Sequence, residues 1–191
     1  MNEAAEIDEQ QMRLYWVDIL RLYLIPSLSV IPANAVLTMD IWNLVELFKV
    51  DTRWALYSEW QKLCNGKVPQ RPHLELIVQA KETSRETKDI LRRINSTTGG
   101  RVFSQPMSRM SLSNPIVVFP IALFQVLSYP NFPAHIADTL EYLTPLGFDV
   151  LTNSVLGILA DPNRSKIKDD GTSLQDWIQS KRTGSASRIC I

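Results

Sequence analysis

Apolar residues recur three and four apart along most of this 191-residue chain, and no stretch alternates persuasively as a strand would. From Ile7 to Leu24 the stripe is Met12, Trp16, Ile19, Leu20, Tyr23 and Leu24, with Arg13, Asp18 and Arg21 mostly off it. Pro26 should end that helix, since its ring and missing N–H cannot continue the ladder. Asn34 can cap a second helix running through Lys49, with Leu37, Ile41, Leu44, Val45 and Phe48 on the buried side. The stretch Asp51–Trp60 follows almost at once. There Trp54, Tyr57 and Trp60 lie three apart, and Leu56, Leu63 and Cys64 widen their side into a thick apolar face. Two indoles and a phenol can bury ~150–250 Å² each, so this helix must be clamped between neighbours. Asp51 and Thr52 are its candidate caps. The short link before it predicts a tight antiparallel pair with the second helix.

Gly66 suits a helix C-terminus, and Pro69 and Pro72 a loop leading to the longest helix, His73 to Ser96. Leu76, Ala80, Thr83, Thr87, Leu91 and Ile94 mark its inner face. Lys81, Arg85, Lys88 and Arg92 form a basic outer stripe flanked by Glu82, Glu86 and Asp89. Thr97 to Ser113, rich in Ser, Thr and Gly, reads as irregular. Asn114 as N-cap and Pro115 in the first turn then start a helix that is apolar nearly all round, with Val117, Val118, Ile121, Leu123, Phe124 and Leu127. It should be central and buried, with a kink at Pro120. Asn131–Thr144 and Gly147–Ala160 form a further pair. Thr172 and Gln175 make a capping box for a last helix carrying Leu174, Trp177 and Ile178, which looks cut short after Ser180. The sum is an all-α chain of antiparallel helix pairs, an α-solenoid fragment of the HEAT or armadillo kind. It divides into an N-terminal helix over 1–25, a helical-repeat domain over 26–180 and a disordered tail over 181–191.

Composition narrows the function. Twenty basic residues balance twenty acidic ones, so any preference for a polyanion must be local. Two distant cysteines, Cys64 and Cys190, suit a reducing compartment and no disulfide scaffold. The acidic, polar start is unlike a secretory signal, and the apolar run Ile116–Leu127 is broken by Pro120 and too short to cross a bilayer. These features predict a soluble intracellular protein with no membrane partner.

Candidate chemistry is sparse. Two histidines, His73 and His135, with no His-Glu-x-x-His pattern and no cysteine pair, offer no metal site and imply no cofactor. Cys64 and His73 could act as nucleophile and base only if the fold brought them together; the bland reading is a buried thiol at a helix end. No catalytic residue is therefore assigned. The basic stripe reads as a solvated face with local ion pairs. Alternatively Lys81, Arg85, Lys88 and Arg92, joined by Arg93, Arg101 and Arg109, form a sequence-blind contact for RNA or DNA phosphates. Trp54, Tyr57 and Trp60 fit a packed helix face better than a base-stacking platform.

Arg53-x-x-Leu56-Tyr57-x-x-Trp60 resembles a signature of the THO complex subunit 2 family. Ala80-Lys81, Ser113-Asn114-Pro115 followed by Phe119, Leu140-x-Tyr142-Leu143-Thr144-x-Leu146-x-x-Asp149-Val150-Leu151, and Asp169-Asp170 before Trp177-x-x-Ser180 continue the likeness in order. It covers Ile25 to Ser180. Departures are Leu112, where the family usually has histidine, and Pro120, in a helix the family runs straight through. The resemblance implies a nuclear, non-enzymatic helical-repeat scaffold that couples transcription to mRNA packaging and export. Its implied partners are the other THO complex subunits and the DEAD-box mRNA-export helicase of the larger TREX assembly. Family members are many times longer, so this chain is a fragment. RNA binding is associated with a basic C-terminal region of the family that this chain lacks.

Overall fold

The computed structural model describes residues 2–68, 73–93, 101–128 and 140–161, with side chains described over 11–68, 73–93, 104–125 and 140–161. All regular elements among them are helical: α1 (Asn2–Ile19), α2 (Ala35–Val45), α3 (Val50–Cys64), α4 (Leu74–Arg93), α5 (Arg101–Ser113), α6 (Pro115–Ser128) and α7 (Pro145–Ala160). The expected last helix with Leu174, Trp177 and Ile178 lies outside the described residues, as does most of the predicted Asn131–Thr144 helix.

α1 does not stop at Pro26. It widens into a π-turn over Leu20–Leu24, where the Ile25 N–H donates to the Leu20 carbonyl, and runs on as one short helical turn over Ile25–Ser27. The wider turn leaves room for the proline ring, which would otherwise press on the carbonyl four residues back. It also sets Leu20 and Ile25 five apart in the core. The predicted stripe is split as a result: Leu20 is buried, while Met12, Trp16 and Tyr23 stay exposed.

α2 starts as expected, with Asn34 Oδ1 accepting from the Val36 and Leu37 amides at 3.0 and 3.2 Å. It ends at Val45, short of Lys49. Lys49, extended and without a side-chain cap bond, opens α3, so Asp51 and Thr52 are not caps; Asp51 lies within the first turn, where its charge favours the helix dipole. The expected α2–α3 hairpin packing is also replaced. α2 lies chiefly against α7 and α5, and α3 against α4, α6, α7 and the π-turn.

The segment expected to be irregular contains α5. Ser104, Met107, Ser108 and Ser111 recur at helical spacing and are buried. The Ser108 and Ser111 hydroxyls donate to the Ser104 and Ser108 carbonyls, each at 2.7 Å. Small side chains that bond their own backbone cost little to bury and allow close approach. Thr83 and Thr87 on α4 use the same device, with the Thr87 hydroxyl donating to the Thr83 carbonyl. α6 is the central element, packed on α4, α5 and α7 and touching α3. Phe119 and Val118 are buried in it, but Phe124 is 59% exposed. Helix α6 continues through Pro120 and α5 through Pro106.

α3 ends in a Schellman turn. The Gly66 N–H donates to the Leu63 carbonyl and the Lys67 N–H to the Lys62 carbonyl, at 3.1 and 2.9 Å. Gly66 has φ +66°, and a Cβ there would lie 3.1 Å from Ile77 Cδ1 on α4. Gly66→Ala should therefore lower stability by about 1–2 kcal/mol through the left-handed backbone alone. The check is a urea titration, in which the midpoint should fall with no change in slope.

Candidate functional site

Residues 53–60 and 149, which carry the recognised sequence blocks, meet across the body of the fold. Asp149 sits on the second turn of α7, whose start is set by Thr144 Oγ1 accepting from the Gly147 amide at 3.3 Å. Its Oδ2 accepts from Arg53 Nε at 2.9 Å and from the Tyr57 hydroxyl at 2.8 Å, and its Oδ1 from Arg53 Nη2 at 3.3 Å. Arg53 Nη1 donates to the Phe48 carbonyl at 3.1 Å, and the guanidinium lies 5.6 Å from the centre of the Trp42 ring. One arginine thus ties α3 to α7, to the α2–α3 corner and to an aromatic of α2. The two charged side chains are only 16% and 13% exposed, so this is a desolvated, two-pronged pair. Burial, then the Asp149 charge, pushes the Tyr57 phenol above its ordinary range, so it remains a donor.

Trp60, also fully buried, donates from Nε1 to Ser29 Oγ at 2.9 Å. Cys64 Sγ lies 3.9 Å from that same hydroxyl, and Asn114 Nδ2 reaches the Ser29 carbonyl at 3.4 Å. Asn114 is therefore a tie to the α1–α2 connection and not a side-chain cap. Its Oδ1 has no hydrogen-bond partner among the described residues, while its carbonyl accepts from the Val117 and Val118 amides. Pro115 beside it is fully buried, Ser113 half-buried. Leu56 is core, Leu143 packs against the core, and Tyr142 is half exposed. Trp177 lies outside the described residues. Ser29 carries no pattern that sequence reasoning could have used.

Cys64 is a poor nucleophile. Burial raises its thiol from an ordinary 9.0 to about 11, against a smaller opposing effect of the Ser29 hydroxyl. Its hydrogen-bond neighbour is Ser29, and His73 is exposed at the mouth of α4. Among the described residues, no group of three or more His, Cys, Asp or Glu could hold a metal ion, and no helix is long and apolar enough to cross a membrane.

The candidate nucleic-acid contacts divide. Lys81, Arg85, Lys88 and Arg92 project from the outer face of α4, with Arg85 paired to Glu82 at 2.6 Å and Arg92 to Asp89 at 3.3 Å. Arg93 and Arg109 instead line a groove of about 470 Å³ between α4 and α5, together with Glu86 and Asp89. The backbone of Arg101 opens α5. A further concavity among the described residues has no counterpart in the sequence reading. A groove of about 950 Å³ between α1 and the α2–α3 corner is lined by Met12, Leu14, Trp16, Val17, Leu44 and Leu47, with Arg13 and Lys49 among its polar residues. The available signal was the run Leu14-Tyr15-Trp16-Val17, since consecutive apolar residues cannot all face one side of a helix.

Asp149→Ala should cost about 2–4 kcal/mol, because it strands a largely buried guanidinium and a phenol; the slight exposure lowers the usual figure. Replacing Arg53→Met, Tyr57→Phe and Asp149→Leu together should cost less than Asp149→Ala alone, as read by urea unfolding. The fold should also lose stability as pH rises from about 9 to about 11, because the unfolded Cys64 thiol gives up its proton before the folded one does. Above about pH 10 Tyr57 adds to the loss in the same direction. Unfolding titrations across this range should show a shallower decline for Cys64→Ala, and the native thiol should resist alkylation at neutral pH.

Comparison with known proteins bears on these blocks. Residues 2–102 match the family described as THO complex subunit 2 N-terminus, and residues 107–180 the family described as Transcription- and export-related complex subunit. THO complex subunit 2 of Arabidopsis thaliana is 31% identical over 90% of this chain and 9% of its own length. The Homo sapiens protein of that name is 32% identical over 82% of this chain and 10% of its own, and that of Saccharomyces cerevisiae 24% identical over 86% and 10%. The chain thus spans about a tenth of the length of these relatives. With one family matched over more than half its residues, with relatives above 30% identity covering most of the chain, and with Arg53 and Tyr57 of the first sequence block bonded to Asp149 of a later one, the chain belongs to the THO complex subunit 2 family.

Proposed function

We propose that this chain is a scaffold segment of the THO complex, seating another subunit of that assembly in the groove between α1 and the α2–α3 corner. The observation that carries the reading is the apolar character of that groove. Leu14 is 67% exposed, Trp16 43% and Leu47 77%, around a volume of about 950 Å³. A contiguous apolar concavity holding a tryptophan is what the core of a protein–protein interface needs, because aromatic anchors in desolvated pockets supply most of the binding energy. Family membership supports the assembly, and with it a nuclear role in coupling transcription to mRNA packaging and export. The DEAD-box helicase of the export machinery is the further partner that the resemblance implies. A non-enzymatic role agrees with Cys64, whose buried thiol stays protonated at neutral pH.

The test is co-purification of the chain with the other THO subunits, with and without nuclease, at low and high salt. Retention should survive both treatments, because an apolar contact carries no phosphate and releases no counterions. The pair Leu14→Asp and Leu47→Asp should abolish retention while leaving the melting temperature nearly unchanged, since both side chains are largely solvated in the free chain. Retention by the double variant, or its loss on nuclease treatment, would overturn the reading.

A further inference from the structure

α4 sorts its surface charges by side. At 3.6 residues per turn, Lys81, Arg85, Lys88 and Arg92 fall within about 60° of arc, while Glu82, Glu86 and Asp89 occupy a second arc of about 60° centred roughly 100° further round. The pairs Arg85–Glu82 and Arg92–Asp89 straddle the boundary, with all four side chains well exposed, so they hold those cations weakly. Each stripe borders a different groove. On the acidic side, Glu86 and Asp89 sit with Arg93 and Arg109, and the charges cancel. On the basic side, a groove of about 550 Å³ between α4 and α6 is lined by Leu91, Pro120, Ile121, Phe124 and Gln125 under Lys88 and Arg92, with no acid among the described residues. Pro120, which breaks the pattern of α6 in sequence, is part of that lining.

We propose that the α4–α6 groove docks a short acidic peptide segment of a protein partner. Its apolar side chains enter against Leu91, Ile121 and Phe124, and its carboxylates pair with Lys88, Arg92 and, further along the stripe, Arg85 and Lys81. Dimensions match. Along the helix axis the four cations step by about 6, 4.5 and 6 Å, against ~6.6 Å between alternate residues of an extended chain, a difference of about 3 Å over the whole stripe that long lysine and arginine side chains span. A peptide alternating acidic and apolar residues therefore turns one edge to the stripe and the other to the groove. A nucleic-acid strand fits less well. Among the described lining residues Phe124 is the one aromatic ring, so successive bases find no run of stacking platforms there. The acidic stripe one step around α4 repels a polyanion wide enough to spread over the helix, whereas a peptide carrying a few carboxylates needs only the basic side.

The experiment is fluorescence anisotropy on the full chain with a labelled peptide alternating Asp or Glu with Leu or Phe. Comparators are the same peptide with amides for carboxylates, the same peptide with Ser for its apolar residues, and a uridine oligonucleotide of equal charge. The alternating peptide should bind, and each comparator should bind at least about tenfold more weakly. Lys88→Glu with Arg92→Glu should cost about tenfold or more, and Arg109→Gln on the other groove nothing. All three side chains are exposed, so unchanged melting temperatures will show that the variants fold. Tighter binding of the oligonucleotide, indifference to the Lys88 and Arg92 changes, or no binding of the alternating peptide would overturn the proposal.

Discussion

The Arg53–Asp149 pair is the constraint on which the rest of the structure leans. It joins residues 96 apart in sequence, and it does so from inside a shell of apolar side chains, where a lone charge of either sign would be costly. Each partner is satisfied several times. Asp149 takes Arg53 twice and Tyr57 once, while Arg53 also bonds the Phe48 carbonyl and lies near the Trp42 ring. Such a cluster adds little to stability compared with apolar residues of the same volume. Its worth is geometric, because α7 can dock on α3 at only one rotation and one height without stranding a charge.

A second set of ties converges on Ser29, whose hydroxyl accepts from Trp60 and whose carbonyl accepts from Asn114. The connection between α1 and α2, otherwise a short irregular link, is thereby fixed to α3 and to the start of α6. Between α4, α5 and α6 the packing depends on threonine and serine. These hydroxyls turn back to carbonyls of their own helix and leave an effectively small, apolar surface to the neighbour. The centre is thus charge-locked, and the grooves lie at its periphery.

The two surfaces differ in physical character. The groove beside α1 is broad and apolar, so an occupant there would gain by excluding water. The groove beside α4 is smaller, with cations over an apolar floor, and its affinity should depend on ionic strength. A chain with no net charge can present both, because sorting like charges to one side of a helix creates a local field that the total conceals.

The all-helical class, the capping of α2 by Asn34, the αL glycine after α3, the buried face of α4 and the central place of α6 were legible in the sequence. Each follows from spacing or from one residue's backbone preference, and these act locally. The same locality explains the errors. Serine and glycine content suggested a loop where α5 forms, since propensity takes no account of neighbours that bury a small-residue face. Pro26 read as a stop because the π-turn that accommodates it is favoured by setting both Leu20 and Ile25 in the core, a tertiary gain. Asp51 and Thr52 looked like caps by type, but Lys49 holds that position; Asn114 does stand at the start of α6, with its side chain drawn to the Ser29 carbonyl. Arg53, Tyr57, Trp60 and Asp149 could be named as signature residues, yet no periodicity places residue 53 against residue 149. Sequence alone determined which segments become helices and which faces want burial; only the tertiary structure decided which faces meet, because that choice belongs to long-range charge pairing and packing that no local pattern encodes.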